Sequence, residues 1–412
     1  MAMSTITIGD IGKVVTGKTP STKSQEYWLG EFDFITPKDI KDDSYTVKTE
    51  RTVSDLWKQK SSQYMLPEGT TCYVCIGATI GKSCYVDKPS FSNQQINAVI
   101  PDIKRFNPKY VYSLLNTISD KVRNRAGGAA TPIVNKSSFS EISISVHEKD
   151  QQDLIVNILE NYDNLIENNN RRIAILEDMA QSLYREWFVN FRYPNHGDNL
   201  DTEGNPKLID SPLGQIPDGW EVKAASEVIT INPKTKLVKE GEKPFVGMSG
   251  LSQGSMVIGD IIEKTGNSGA KFINGDTLFA RITPCLQNGK TGYVQFLTPE
   301  QPVGFGSTEF IVLRESEYLS SEFIYLLSRS NNFREHAIQS MTGATGRQRV
   351  HNDCFASCYL PVPPKELMNE FTKLVKPIFK SIFNLSKRNE NIKQQRDMLL
   401  PKLISGQIEL KD

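Results

Sequence analysis

The apolar positions change period along the chain, and they do so twice. Through roughly the first 147 residues they fall in short alternating runs broken by Gly and Pro. From about 148 to 188 they recur every three or four residues. The alternating pattern then starts again and gives way to a second helical run over 365–403. Alternation predicts strands at 6–11, 27–40, 70–80, 82–86, 97–100 and 139–146, with Gly77 and Gly81 interrupting the middle pair. Residues 108–116 place Tyr110, Leu114 and Leu115 at helical spacing. The second region repeats that order, with strands at 277–281, 289–296 and 310–313, a helix at 322–328 and a closing segment at 359–364.

The two long runs are predicted helices with narrow apolar seams. The first carries Ile158, Tyr162, Leu165, Ile173, Leu176, Ala180, Leu183 and Trp187. The second carries Ile378, Ile382, Leu385, Ile392, Leu399 and Leu403. Spacings of three and four make a seam that needs another helix, and antiparallel pairing within the chain is the simplest solution. Corresponding residues lie 219 apart: Ile173 with Ile392, Asp178 with Asp397. Each run is interrupted by a polar patch, 168–172 and 387–391. Such layers fix register when they lie inside a seam; on a wider helix they simply face solvent. Some 35 helical residues make a rod of roughly 50 Å, longer than one turn of B-DNA at about 34 Å.

This predicts an α+β chain of two similar mixed α/β heads and two long antiparallel coiled-coil-like helices, a pseudo-two-fold internal repeat. The expected boundaries are a first head at 1–147, a helix at 148–190, a connector at 191–216, a second head at 217–364, and a second helix with its tail at 365–412. A length of 412 residues suits two heads with real cores.

The chain has 48 basic and 48 acidic residues. A free-standing nucleic-acid binder is usually basic, so either the partner is something else or other subunits supply much of the positive surface. No apolar run reaches the roughly 18 residues of a membrane helix, and the first residues do not read as a signal peptide. The six cysteines are irregularly spaced and read as reduced core residues, giving a cytoplasmic expectation.

Several motifs carry candidate chemistry. Residues 12–19 match the phosphate-loop pattern letter for letter, yet Pro20 and a polar stretch follow where a packed helix should open. A basic, hydroxyl-rich loop touching a nucleic-acid backbone fits Lys18, Thr19, Ser21 and Lys23 better. Cys72 and Cys75 stand at an odd offset in a strand, pointing to opposite faces, so zinc is not expected. Asp218 and Glu221 resemble a nuclease pair but no strand carries them. No adenine-methylation motif or methyl-donor glycine signature is present, and the chain reads as non-catalytic with no metal site. Just before each closing strand lies a Gly-rich loop bearing forked donors and amides that suit paired hydrogen bonds to base edges. Arg123, Arg125, Thr131 and Asn135 surround the first loop; Arg347, Gln348, Arg349 and His351 surround the second. Both loops also read as plain mobile polar segments. Lys38, Lys82, Lys243 and Lys290 complete the candidate contacts to DNA.

These residues together resemble the specificity (S) subunit of type I restriction–modification systems. The likeness rests on residues 16–21 with Glu26-Tyr27-Trp28, on 34–40, on Gly77-Ala78-Thr79-Ile80-Gly81-Lys82, and on 93–98. It extends to Ile216-Pro217-Asp218-Gly219-Trp220, to Ile173-Ala174-Ile175-Leu176-Glu177 and to 399–406. The resemblance implies that each head is a target recognition domain reading half of a split asymmetric DNA sequence. It implies helices that set the gap and dock two modification (methyltransferase) subunits, with restriction/translocase subunits joining them. It implies S-adenosylmethionine, ATP and Mg on those partners and no cofactor on this chain. The second head departs from the pattern: it lacks the Gly-Lys-Thr-Pro opening and has Asn232-Pro233-Lys234-Thr235-Lys236 instead. The two heads should therefore read different half-sites. The rival expectation is a scaffold with two ligand-binding heads and no affinity for DNA.

Overall fold

The structure is a computed structural model describing residues 3–410 except 42–44, 127–131, 199, 201, 204–206, 239, 345 and 409. Thr131 and Gly127-Gly128 of the first candidate loop lie outside the described residues. The chain divides into two compact units, residues 1–166 with 391–412, and residues 167–390.

The first unit opens with β1 (Ser4–Thr7), α1 (Ile8–Ile11) and β2 (Gly12–Thr16). Residues 6–11 are therefore not the single strand that their alternation predicts. The amide and hydroxyl of Thr7 both donate to the Asp10 carboxylate, at 2.8 and 2.7 Å. This pair of bonds holds the chain in one helical turn and buries Ile8 and Ile11 together. Next come β3 (Trp28–Ile35), β4 (Thr52–Val53), α2 (Asp55–Ser61), β5 (Thr71–Val74), β6 (Ser83–Tyr85), β7 (Ser90–Ser92) and β8 (Ile96–Pro101). Then α3 (Pro108–Thr117), α4 (Ser119–Arg125), α5 (Lys136–Ser140) and β9 (Ser143–Val146) lead into α6 (Lys149–Phe188). The strand expected from 139 begins only at Ser143, because Asn135 caps α5 by accepting from Ser138 N at 2.8 Å. Phe139 is buried from that helical turn.

The connector is less open than its Asn/Gly/Pro content predicts. Strands β10 (Leu208–Ser211) and β11 (Gly214–Pro217) pair as a hairpin within it. The second head contains β12 (Glu221–Ala224), α7 (Ala225–Val228), β13 (Thr230–Ile231), β14 (Lys243–Val246), β15 (Ile261–Lys264) and β16 (Ala270–Phe272). It continues with β17 (Thr277–Ala280), β18 (Thr291–Tyr293), β19 (Gly304–Gly306), β20 (Phe310–Arg314), α8 (Ser321–Arg329), α9 (Asn331–Gln339) and β21 (Tyr359–Val362). The helix α10 (Lys365–Ile404) follows.

The heads repeat each other in their main sheet and closing strand pair. One sheet runs β2-β8-β5-β6 and its counterpart β13-β20-β17-β18. The first and last strands of each head close it as antiparallel pairs, β1 with β9 and β12 with β21. The second sheets differ in size: β4-β3-β7 against β15-β14-β19-β16.

Each head shares its core with the long helices. In the first unit, α3 and the main sheet pack with Ile155, Val156 and Leu159 of α6 and Leu403 and Ile404 of α10. In the second, Phe323 of α8 packs with Tyr184, Trp187 and Phe188 of α6 and with Phe371 and Val375 of α10. Within the second unit, Asn169 faces Asn389 and Trp187 faces Phe371. The 18 residues from Asn169 to Trp187 match the 18 from Asn389 back to Phe371, so α6 and α10 run antiparallel there without a slip. In the first unit, Arg396 of α10 pairs with Asp163 of α6 at 2.5 Å.

The observed seam on α6 passes through Ile155, Leu159, Tyr162, Ile166, Asn169, Ile173, Leu176, Ala180, Leu183 and Trp187, four and three residues apart in turn. Leu165, expected in the seam, is 47% exposed because it stands one position off this line. The polar interruption is the seam's own layer. Asn169, 5% exposed, donates to Asn389 Oδ1 at 2.8 Å, and Asn389 donates to Asn170 Oδ1 at 2.8 Å.

Candidate nucleic-acid interface

In the first head, the segment resembling a phosphate loop is a strand and a pinned turn. Gly12–Thr16 forms β2, and no helix opens at Lys18-Thr19, so the fan of free N–H groups that a phosphate cradle needs is not built here. Gly17 lies so close to Ser92 and Asn93 that a Cβ would stand 2.2 Å from the Asn93 carbonyl. The turn is further held by Thr19 Oγ1 donating to Gln94 Oε1 at 2.5 Å and by the Trp28 indole donating to the Ser21 carbonyl at 3.2 Å. The Lys18 ammonium sits 5.4 Å from the Tyr64 ring centre. Lys18, Ser21, Lys23 and Lys38 are exposed.

Beside the Gly-rich loop of this head, two of the candidate side chains have partners within the fold. Arg123 donates from Nε to the Ile80 carbonyl at 3.1 Å and so braces the Gly77–Gly81 turn, beside which Lys82 is half-buried. Asn135 is occupied as the α5 cap, whereas Arg125 is exposed.

The second head differs. Lys243 is buried, its ammonium donating to the Glu240 carbonyl at 3.3 Å, and Lys290 donates to the Met248 carbonyl at 2.8 Å. Both ammonium groups tie the fold internally. The loop before β21 is a tight hairpin: Thr342 and Arg349 exchange backbone hydrogen bonds at 3.1 and 2.9 Å. Gly343 and Gly346 take φ of 125° and 82°, conformations that favour glycine. The returning arm bonds to the segment after β17 through Thr283 N to Gln348 O at 3.1 Å and Val350 N to Arg281 O at 2.9 Å. Arg347 and His351 are exposed, and Gln348 is half-buried. Arg349 meets Glu309, with Nε at 2.9–3.0 Å from the two carboxylate oxygens and Nη2 at 2.7 Å from Oε1. The guanidinium holds the Glu309 carboxyl below its ordinary value, and Glu309 raises Arg349 in return.

Sequence reasoning missed Glu309, and also a basic–aromatic patch around β3. Lys60 lies over Tyr27, Arg51 over Trp28 and Lys58 over Phe32, at 4.6, 4.7 and 4.7 Å. The aromatics at 27–32 and the Lys and Arg at 51–60 stand in separate stretches of the sequence, and only the fold brings them together. A second missed group is Glu177 of α6. One of its oxygens accepts from Met256 N at 2.6 Å and from Ser255 Oγ at 2.7 Å, and burial pushes its pKa up. Among the described residues no cluster of three or more His, Cys, Asp or Glu could hold a metal. Cys72 and Cys75 do face different cores, and burial pushes the Cys75 thiol up to about 12. No helix among the described residues is long and apolar enough to cross a membrane.

A family model described as "Type I restriction modification DNA specificity domain" matches residues 2–178 and 217–397, taking in both heads and most of both long helices. The chain is similar to the type I restriction enzyme MjaIX specificity subunit of Methanocaldococcus jannaschii, at 28% identity over 426 residues, covering 98% of this chain and 93% of that one. It is also similar to the EcoEI specificity subunit of Escherichia coli, at 34% identity over 171 residues, covering 39% of this chain and 28% of the relative. The crystal structure of the S subunit of a type I restriction–modification system from M. genitalium shares the fold, with a TM-score of 0.53 at 15% identity, covering 100% of this chain and 97% of that one. The repeated heads, the paired helices and the family match lead to one assignment: the chain belongs to the specificity subunits of type I restriction–modification systems, the non-catalytic components that direct partner enzymes.

Proposed function

We propose that this chain recognises a bipartite, asymmetric stretch of double-stranded DNA, each head meeting one half, and brings two adenine methyltransferase subunits and the restriction/translocase subunits to it. The observation that carries this reading is the continuity of each head's core with both long helices. Each head's core is built onto its own stretch of the long helices, and these helices are the proposed ruler for the gap between half-sites. Their exposed outer faces serve the partner subunits. S-adenosylmethionine, ATP and Mg belong to those partners, and the complex works in the cytoplasm. A chain of zero formal charge then needs no basic surface of its own to enclose DNA, since the enclosure is shared.

In the first head, Lys18, Ser21, Lys23, Lys38 and Arg125 are the proposed contacts, chiefly to phosphates. In the second, Arg347, Gln348, Arg349 and His351 are proposed to meet base edges. The test is to map methylated adenines in cells carrying this chain with its methyltransferase. The expected result is a motif with two defined parts and a fixed undefined gap. A single contiguous motif, or no salt-sensitive DNA binding by the assembled complex, would overturn the reading.

A further inference from the structure

We infer that Glu309 is a positioning residue that sets Arg349 as the guanine-reading fork of the second head; this rests on the proposed DNA-reading role. Arginine has five N–H donors, and their distribution here is specific. Glu309 takes the side-on edge, bonding Nε at 2.9–3.0 Å and Nη2 at 2.7 Å. The end-on edge, formed by Nη1 and the outward N–H of Nη2, has no other acceptor among the described residues, and the side chain is 45% exposed. With the side-on edge taken, the end-on edge is the fork left to donate two parallel hydrogen bonds to guanine O6 and N7.

Both partners are anchored at the backbone, so the fork is aimed as well as free. Glu309 immediately precedes β20; its amide donates to Ser307 Oγ at 3.1 Å and its carbonyl accepts from Arg281 N at 3.0 Å. Arg349 is locked in the hairpin by its two bonds to Thr342. A long side chain fixed before binding loses less rotamer freedom when it docks. The Glu309 carboxylate also feels Arg281, whose Nε is shielded from solvent and has no acceptor among the described residues. Two arginines around one carboxylate leave the patch with one net positive charge, which suits an acceptor-rich base edge beside phosphates.

The opposite role is physically distinct. A carboxylate that merely occupied Arg349 in the absence of DNA would have to release it, and removing that carboxylate would strengthen binding. The experiment uses the full chain assembled with its methyltransferase partner, and duplexes carrying the mapped motif or each single base-pair change. Glu309→Gln is expected to reduce discrimination at one G·C pair of one half-site about 10-fold, leaving preferences at the other half-site unchanged. Arg349→Lys, at an exposed position where the fold is not at stake, is expected to lose discrimination at the same pair, and the double variant to lose no more than either. The inference is overturned if Glu309→Gln tightens binding to every duplex, or if Arg349→Lys alters no single position. It is equally overturned if Arg349→Lys relaxes a position that Glu309→Gln leaves intact. If the unaltered complex shows no sequence preference at all, it is the DNA-reading role that fails.

Discussion

The two heads share one chain plan and use their arginines differently. In the first, Arg123 braces a neighbouring turn through the Ile80 carbonyl, and the adjoining Asn135 caps a helix. In the second, the equivalent stretch is a closed hairpin whose Arg347 is exposed and whose Arg349 is held by the Glu309 carboxylate immediately before β20. The repeated scaffold fixes where a loop stands; the loop's own hydrogen bonds decide whether its side chains are structural or available. Equivalent sequence positions are therefore poor guides to equivalent contacts.

The largest expected effect tests whether the heads are independent bodies. Trp187→Ala removes an aromatic from the second core and should cost about 3–5 kcal/mol there, while Leu403→Ala should cost the first core about 2–5 kcal/mol. Hydrogen exchange read head by head should show each loss confined to its own unit; joint softening would break the comparison. Next is the contrast between arginines. Arg347→Ala should weaken DNA binding by about 1–3 kcal/mol if it reads a base, with stability within about 0.5 kcal/mol. Arg123→Ala should do the reverse, costing about 1 kcal/mol of stability and leaving sequence preference alone. Matched denaturation and binding titrations separate the two.

The asparagine layer comes third. Asn389→Ala strips Asn169 and Asn170 of their partner, and a buried amide left unpaired costs about 1–3 kcal/mol. Replacing Asn169 and Asn389 together by leucine should instead raise the melting temperature while relaxing register, measurable by cysteine cross-linking across the helices. The smallest effect concerns Glu177. Its folded pKa is raised by burial, so the stability it contributes is full below its ordinary pKa and is lost as pH rises through the folded value. Glu177→Gln keeps the single accepting oxygen and should stabilise the second unit modestly at pH 7, the gain vanishing near pH 4.

Much of this architecture was legible because periodicity over 40 residues is hard to mistake, and because the repeat supplied every element twice. The errors came where a local hydrogen bond overrode a short pattern. Thr7 and Asp10 made a helical turn of an alternating run, and Asn135 did the same before β9. Leu165 was misplaced because Leu165 and Ile166 both fit a spacing of three or four, and only the Asn169 layer sets the phase. At the candidate interface, basic residue type was readable and availability was not. Nothing in the letters separates Lys290, tied to the Met248 carbonyl, from exposed Lys18. Glu309 was invisible because its partner is 40 residues away and the pairing exists only after β20 and the hairpin have formed.

The ruler itself can be measured by deleting one seven-residue repeat from each long helix, which keeps the seam in phase. Each helix shortens by about 10 Å, about three base pairs at 3.4 Å each. The account predicts that methylation at the original gap is lost and that any retained activity joins the same half-sites across a gap about three base pairs shorter. Continued methylation of the original motif at its original gap would contradict it.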